Sequence, residues 1–252
     1  MELGTSVKSP NGRFSVELWI EGTPAVFHAR CPHSRPYVVA ERNQQYALHV
    51  TTLAGRIEVL MSVDGRNMFA PGIANLATDT GQLVSPGKTV PFDGWRENDD
   101  QSSHLVFSKT ARSVAVQSGD ADSSLGVIGL AAFSEQVQYS SRLITYNDNP
   151  HSFGGEVLRG VGTVMRGDSS AKSMSAPAHS PALGTGMGQS FESHVRRVVF
   201  NRSSSPADIL AIGYDTAENL TRLGILTAPE PNPFPGTAQP PVGYDPADFK
   251  RV

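Results

Sequence analysis

Residues Ile57 to Met68 read IEVLMSVDGRNM, and this stretch decides the fold class. Seven largely apolar residues, Ile57–Val63, run into Asp64-Gly65. An Asp-Gly pair after such a run predicts a hairpin, because glycine takes a positive φ without a Cβ clash. Upstream, YALHV alternates Tyr46, Leu48 and Val50 against Ala47 and His49, the period-two pattern of a half-buried strand. Downstream, KTVPF, HLVFS (His104–Ser108) and SVAV (Ser113–Val116) add short strand-like runs. LGVIGLAAF (Leu125–Phe133) is apolar on consecutive positions, which places it centrally with both faces covered. Short strands separated by turn signals predict a mainly β chain, an antiparallel β-sandwich over residues 41–226.

Around that block the patterning changes. Residues 1–40 carry turns at Pro10-Asn11-Gly12 and Pro32 and one short strand candidate, SVELWI (Ser15–Ile20). They read as an N-terminal arm. Residues 136–192 are rich in Gly, Ser, Ala and Pro and read as a long excursion with little to bury. HVRRVVF and DILAIGY then read as strands, and YDTAENLTRLGI as a short helix capped by Asp215 or Thr216 and stopped by Gly224. Residues 227–252 form a proline-rich C-terminal arm with spaced aromatic side chains. Extended arms of this kind dock at little entropic cost. The expected partner-binding anchors are Phe234, Tyr244 and Phe249 at that end, and Phe14 and Trp19 at the other.

Composition bounds the function. Charged residues are 18% of the 252, and the net charge of -3 argues against a surface built to neutralise nucleic-acid phosphates. No run approaches the roughly 20 apolar residues of a membrane span, and the N-terminus lacks an apolar signal-peptide core. A single cysteine, Cys31, forms no intrachain disulfide. The expectation is a protein made in a host cytoplasm, with no membrane and no nucleic-acid partner.

Each motif has a plain reading beside its functional one. Arg166-Gly167-Asp168 is an integrin-type tripeptide, yet it sits among small residues where Gly-Asp serves a turn. His28, Cys31 and His33 could ligate zinc, but a closed site needs a fourth ligand. The run Asp93–Asp100 (DGWRENDD) could face a cation or a sugar, with Trp95 as a platform. SPGKTV lacks the first glycine of a phosphate loop. The glycines of LGTGMGQ (Leu183–Gln189) lack dinucleotide spacing and read as a bend or a site of close backbone packing. Ser169-x-x-Lys172 lacks the partners of a serine acylase. No catalytic residue, cofactor or metal ligand is assigned, and the chain is expected not to be an enzyme.

Four of these segments together, Ser62-Val63-Asp64-Gly65, Gly94-Trp95-Arg96, Gly126-Val127-Ile128-Gly129 and Tyr214-Asp215-Thr216, resemble a group of proteobacterial and phage-associated β-rich proteins. The resemblance covers roughly residues 46–225 in patches and leaves the arms out. It rests on turn glycines and core positions, so it carries a fold signature and no site residues. The leading expectation for function is a structural virion protein: a capsid decoration or cement protein, located in the virion, homo-oligomeric, and partnered by the major capsid protein or other virion subunits. It rests on the lack of a catalytic constellation, the lack of an export signal, the two docking arms and the mildly negative net charge. The alternatives are a glycan-binding sandwich using Trp95, and a hydrolase with an unlocated Ser or Asp.

Overall fold

A computed structural model describes residues 1–31, 34–119, 124–136 and 180–227. The chain opens with β1 (Glu2–Gly4), β2 (Val7–Lys8), β3 (Phe14–Ile20), β4 (Thr23–Pro24), β5 (Phe27–His28) and β6 (Tyr37–Val39). Then come β7 (Gln45–Thr52), β8 (Ile57–Val63), β9 (Arg66–Asn67), β10 (Gln82–Val84), β11 (Thr89–Phe92), β12 (Gly94–Arg96) and β13 (Gln101–Lys109). A 3-10 turn at Thr110–Arg112 and the one-turn helix α1 (Val114–Gln117) lead to β14 (Val127–Ser134). β15 (Leu183–Glu192), β16 (Asp208–Asp215) and α2 (Ala217–Arg222) complete the described elements.

Two eight-stranded sheets pack face to face. The first runs β1-β5-β6-β16-β14-β8-β10, with β9 on β8. The second runs β12-β13-β7-β3-β2, with β11 on β7, β15 on β13 and β4 on β3. The fold is the expected mainly β sandwich. Pairing is antiparallel except between β6 and β16. The Asp64-Gly65 hairpin forms as read, with φ of 52° and 81°. β14 lies between β8 and β16. Its inner face joins the main core. On its outer face Phe133 is covered by the Arg202 guanidinium, 4.3 Å from the ring centroid. Arg202 also donates to the carbonyls of Leu76, Ala77 and Asp79, holding that loop over the sheet.

Four expectations are corrected. Residues 1–40 are not an arm: β3 pairs with β7 along seven residues, and Phe14, Val16 and Leu18 are fully buried. The cause is the alternation in FSVELWI, which puts three apolar side chains on one face. Burying each contributes about 1.5–3 kcal/mol, more than an arm in solvent would gain. The excursion at 136–192 ends early, because Leu183–Glu192 forms β15 against β13. Its small residues are what permit this packing. A Cβ on Gly184 would stand 2.5 Å from the Ser113 Cβ, and one on Gly188 would stand 2.7 Å from Val106 Cγ2. SVAV is not a strand: the Ser113 hydroxyl caps α1 by accepting from the Val116 amide. HVRRVVF joins no strand; the Ser193 and Val195 amides donate to the Asp100 and Asp99 carbonyls. The helix at 217–222 forms as read, capped by Thr216 and followed by Gly224 at φ 69°.

Candidate functional site

Two polar clusters stand out, one sealed between the sheets and one open to solvent. The sealed one centres on Asp64, whose side chain turns back from the hairpin into the sandwich and is 4% exposed. Its carboxylate accepts from the Gly126 amide at 2.9 Å, the Thr185 amide at 2.7 Å and the Tyr214 hydroxyl at 2.7 Å. The Thr185 hydroxyl lies 2.8 Å from both the Tyr46 and Tyr214 hydroxyls. Tyr214 and the Asp64 turn belong to the first sheet, Tyr46 and Thr185 to the second, so the chain of hydroxyls ties the layers together. The rings add stacking: Tyr46 lies 4.1 Å from Phe107, and Phe107 lies 4.9 Å from Tyr214.

Burial dominates the titration of this cluster. It pushes the Asp64 carboxyl above its ordinary range, against the opposing pull of the Thr185 amide, the Tyr214 hydroxyl and the amides of Gly126 and Val127. Burial likewise raises the Tyr46 and Tyr214 phenols well above theirs, with the Asp64 charge adding to the effect. Nothing in the sequence beyond the turn signal marks Asp64. Its chemistry needs Thr185 and Tyr214, which lie 121 and 150 residues further on.

The open cluster occupies the β12–β13 turn and the end of β15. A shallow depression is lined by Asn98, Asp99, Asp100, Gln101, Glu192, His194 and Arg197. Arg197 pairs with Asp99 at 3.2 Å, and His194 Nδ1 lies 3.0 Å from Asp100. Glu97 accepts from the hydroxyls of Ser103 and Ser190. The Ser103 bond is the larger cause, and the Ser190 bond the lesser, that holds the Glu97 carboxyl below its ordinary range. The acidic run is therefore engaged with side chains from the segment after β15. The guanidinium of Arg96 also reaches that segment, bonding to the Ser193 carbonyl and hydroxyl. Beside the cluster, the stretch after β15 exposes Val195, Val198 and Val199, the last 89% exposed, next to Arg196 and Arg197.

Several expected positions fall elsewhere. Phe14 is buried in the sandwich core and offers no docking anchor. Trp19 stays half-buried on the outer face of the second sheet, stacked 4.9 Å from His49, with its indole N–H donated to Glu17 at 3.0 Å. Trp95 is 6% exposed and donates to the Gly186 carbonyl, so it is a core residue and no sugar platform. Cys31 is exposed and His28 half-buried, while His33 lies outside the described residues. Phe234, Tyr244, Phe249 and Arg166-Gly167-Asp168 also lie outside them. Among the described residues no three His, Cys, Asp or Glu side chains converge on a metal position, and no helix is long and apolar enough to cross a membrane.

In comparisons with known protein families, curated proteins and solved structures, nothing matches the chain.

Proposed function

We propose that this protein is a structural subunit of a virion, a capsid decoration protein that docks on the major capsid protein and on neighbouring subunits. The observation that supports this reading is the exposed strip Val195, Val198 and Val199, flanked by Arg196 and Arg197. Three β-branched side chains held in water gain about 25 cal/mol per Å² when a partner covers them. Extended backbone can also add to a neighbour's sheet edge. The Ser193 and Val195 amides on the Asp100 and Asp99 carbonyls, with the Arg197–Asp99 ion pair and the His194–Asp100 contact, tie the start of the strip to the β12–β13 turn. The half-exposed Trp19 face offers a second contact area on the same sheet. Affinity then comes from several modest contacts used together.

The test mixes the purified chain with capsids of the virus that encodes it. Co-sedimentation and slowed proteolysis at Arg196 and Arg197 are the expected results, both weakened by Val195→Asp with Val199→Asp. A chain that stays in the supernatant and is cut equally fast with and without capsids overturns the proposal.

A further inference from the structure

β15 is attached to the molecule in an unusual way for a ten-residue strand. Its backbone pairs with β13 from Leu183↔Lys109 to Glu192↔Gln101. Among the described residues it pairs with no other strand, so it is an edge. It buries one large apolar side chain, Leu183; the other buried positions are Gly184, Thr185 and Gly186. From Met187 onward it is exposed or half-exposed, and Met187 itself is 54% exposed. In the sheet it joins, β3 and β7 each bury three apolar side chains, and β13 buries Leu105 and Phe107. β15 thus gains far less from burial than the sheet it joins.

Besides the β13 ladder, its later half is held by the Trp95 indole on the Gly186 carbonyl, by the Ser190 hydroxyl with Ser103 and Glu97, and by Phe191 stacked on His104. Its entry is held by polar contacts from the 3-10 turn, the Asp64 turn, β7 and β16. The Thr110 hydroxyl donates to the Pro181 carbonyl at 2.8 Å. The Ala182 amide donates to Asp215 at 3.2 Å. The Thr185 amide donates to Asp64 at 2.7 Å, and the Thr185 hydroxyl completes the link between Tyr46 and Tyr214. Two nearly buried carboxylates, Asp64 and Asp215, therefore clasp one short stretch of backbone.

We propose that β15 is a detachable strap, latched at residues 181–185 by Asp64, Asp215 and Thr110, which opens as a unit while the rest of the sandwich stays folded. Opening frees the edge of β13 along Leu105–Lys109 and uncovers Tyr46, Phe107 and Tyr214 from the Thr185 side. The exposed strip Ser193–Val199 follows directly from β15, so it gains reach when the strap is open. This inference does not depend on a virion partner.

Amide hydrogen exchange on the purified full chain, followed by mass spectrometry of peptides with and without low denaturant, tests it. The expected result is that amides of 181–192 exchange faster than those of β7, β14 and β16, with little dependence on denaturant, the mark of a local opening. Thr110→Val removes the hydroxyl on the Pro181 carbonyl without touching the Asp64 cluster; it should raise exchange in 181–192 by about two- to tenfold, the effect of one lost hydrogen bond, and leave β3 unchanged. Exchange of 181–192 at the same rate and with the same denaturant slope as β14 overturns the strap. The wild-type comparison decides even if the variant does not fold. Capsid binding is measured separately, so loss of one result leaves the other standing.

Discussion

The two carboxylate clusters hold the same kinds of groups and behave in opposite ways. Asp64 is sealed between sheets and faces only amides and hydroxyls. Asp99 and Asp100 face Arg197 and His194 in open solvent, with side chains more than 60% exposed. An exposed ion pair is worth about 0–1 kcal/mol, since water competes for both partners. A buried acceptor without its donors, or donors without their acceptor, forfeits about 1–3 kcal/mol per group. The cluster without a formal ion pair is therefore the one on which folding depends.

Removing the sealed acceptor should have the largest effect. Asp64→Asn keeps a residue that tolerates the φ of 52°, but its amide nitrogen must face a backbone N–H. A loss of about 2–4 kcal/mol is expected in chemical denaturation, the range for an unpaired buried polar group with disrupted neighbours. Tyr214→Phe keeps the ring packing and removes one donor to a charged acceptor. A loss of about 1.5–3 kcal/mol is expected, and a double-mutant cycle with Tyr46→Phe should be non-additive because both hydroxyls meet Thr185.

pH sharpens the comparison, because the two kinds of site have opposite signs. The folded-state value of Asp64 is raised, so its contribution is fully present below the ordinary Asp range. That contribution is lost as pH rises through the folded value. Glu97 is depressed, so its contribution is present above the ordinary Glu range and is lost as pH falls through the folded value. Stability curves for wild type, Asp64→Asn and Glu97→Gln across the acid range should show slopes that change in opposite directions. At the alkaline end, the raised phenols of Tyr46 and Tyr214 predict that stability falls above about pH 10, where unfolded tyrosine ionises. Tyrosinate absorbance for these two rings should appear only with unfolding. The smallest effect belongs to the open cluster: Asp99→Asn or Arg197→Gln should change stability by less than about 0.5 kcal/mol, a difference that salt abolishes. A larger loss there would mean that the turn and the strip are more tightly coupled to the core than their exposure indicates.

Much of the scaffold is legible in the sequence. The Asp64-Gly65 hairpin, the central β14 and the Thr216–Gly224 helix each rest on a local signal: a positive-φ pair, a continuous apolar run, a cap and a stop. The misreadings share a different cause. FSVELWI carries a strand's alternation, but its flanking turns made it look isolated until β7 supplied a partner. SVAV has strand-forming residues, yet a single serine cap and the need to turn the chain made it helical. LGTGMGQSFE has almost no side chains to bury, so no pattern marks it; it is a strand because β13 offers an edge and Ser113 and Val106 leave room only for glycine. Of the candidate site, the acidic run was visible in the sequence. Its engagement by Arg197 and His194 was not, since those residues lie almost a hundred positions away.

The sequence by itself determined the class of fold and the places where the chain must turn, since apolar alternation and glycine's freedom act over a few residues. Only the tertiary structure decided what Asp64 does. A turn residue's backbone is set locally, but its carboxylate finds two amides and a tyrosine hydroxyl only when strands from distant parts of the chain close over it, and burial then gives those bonds their weight.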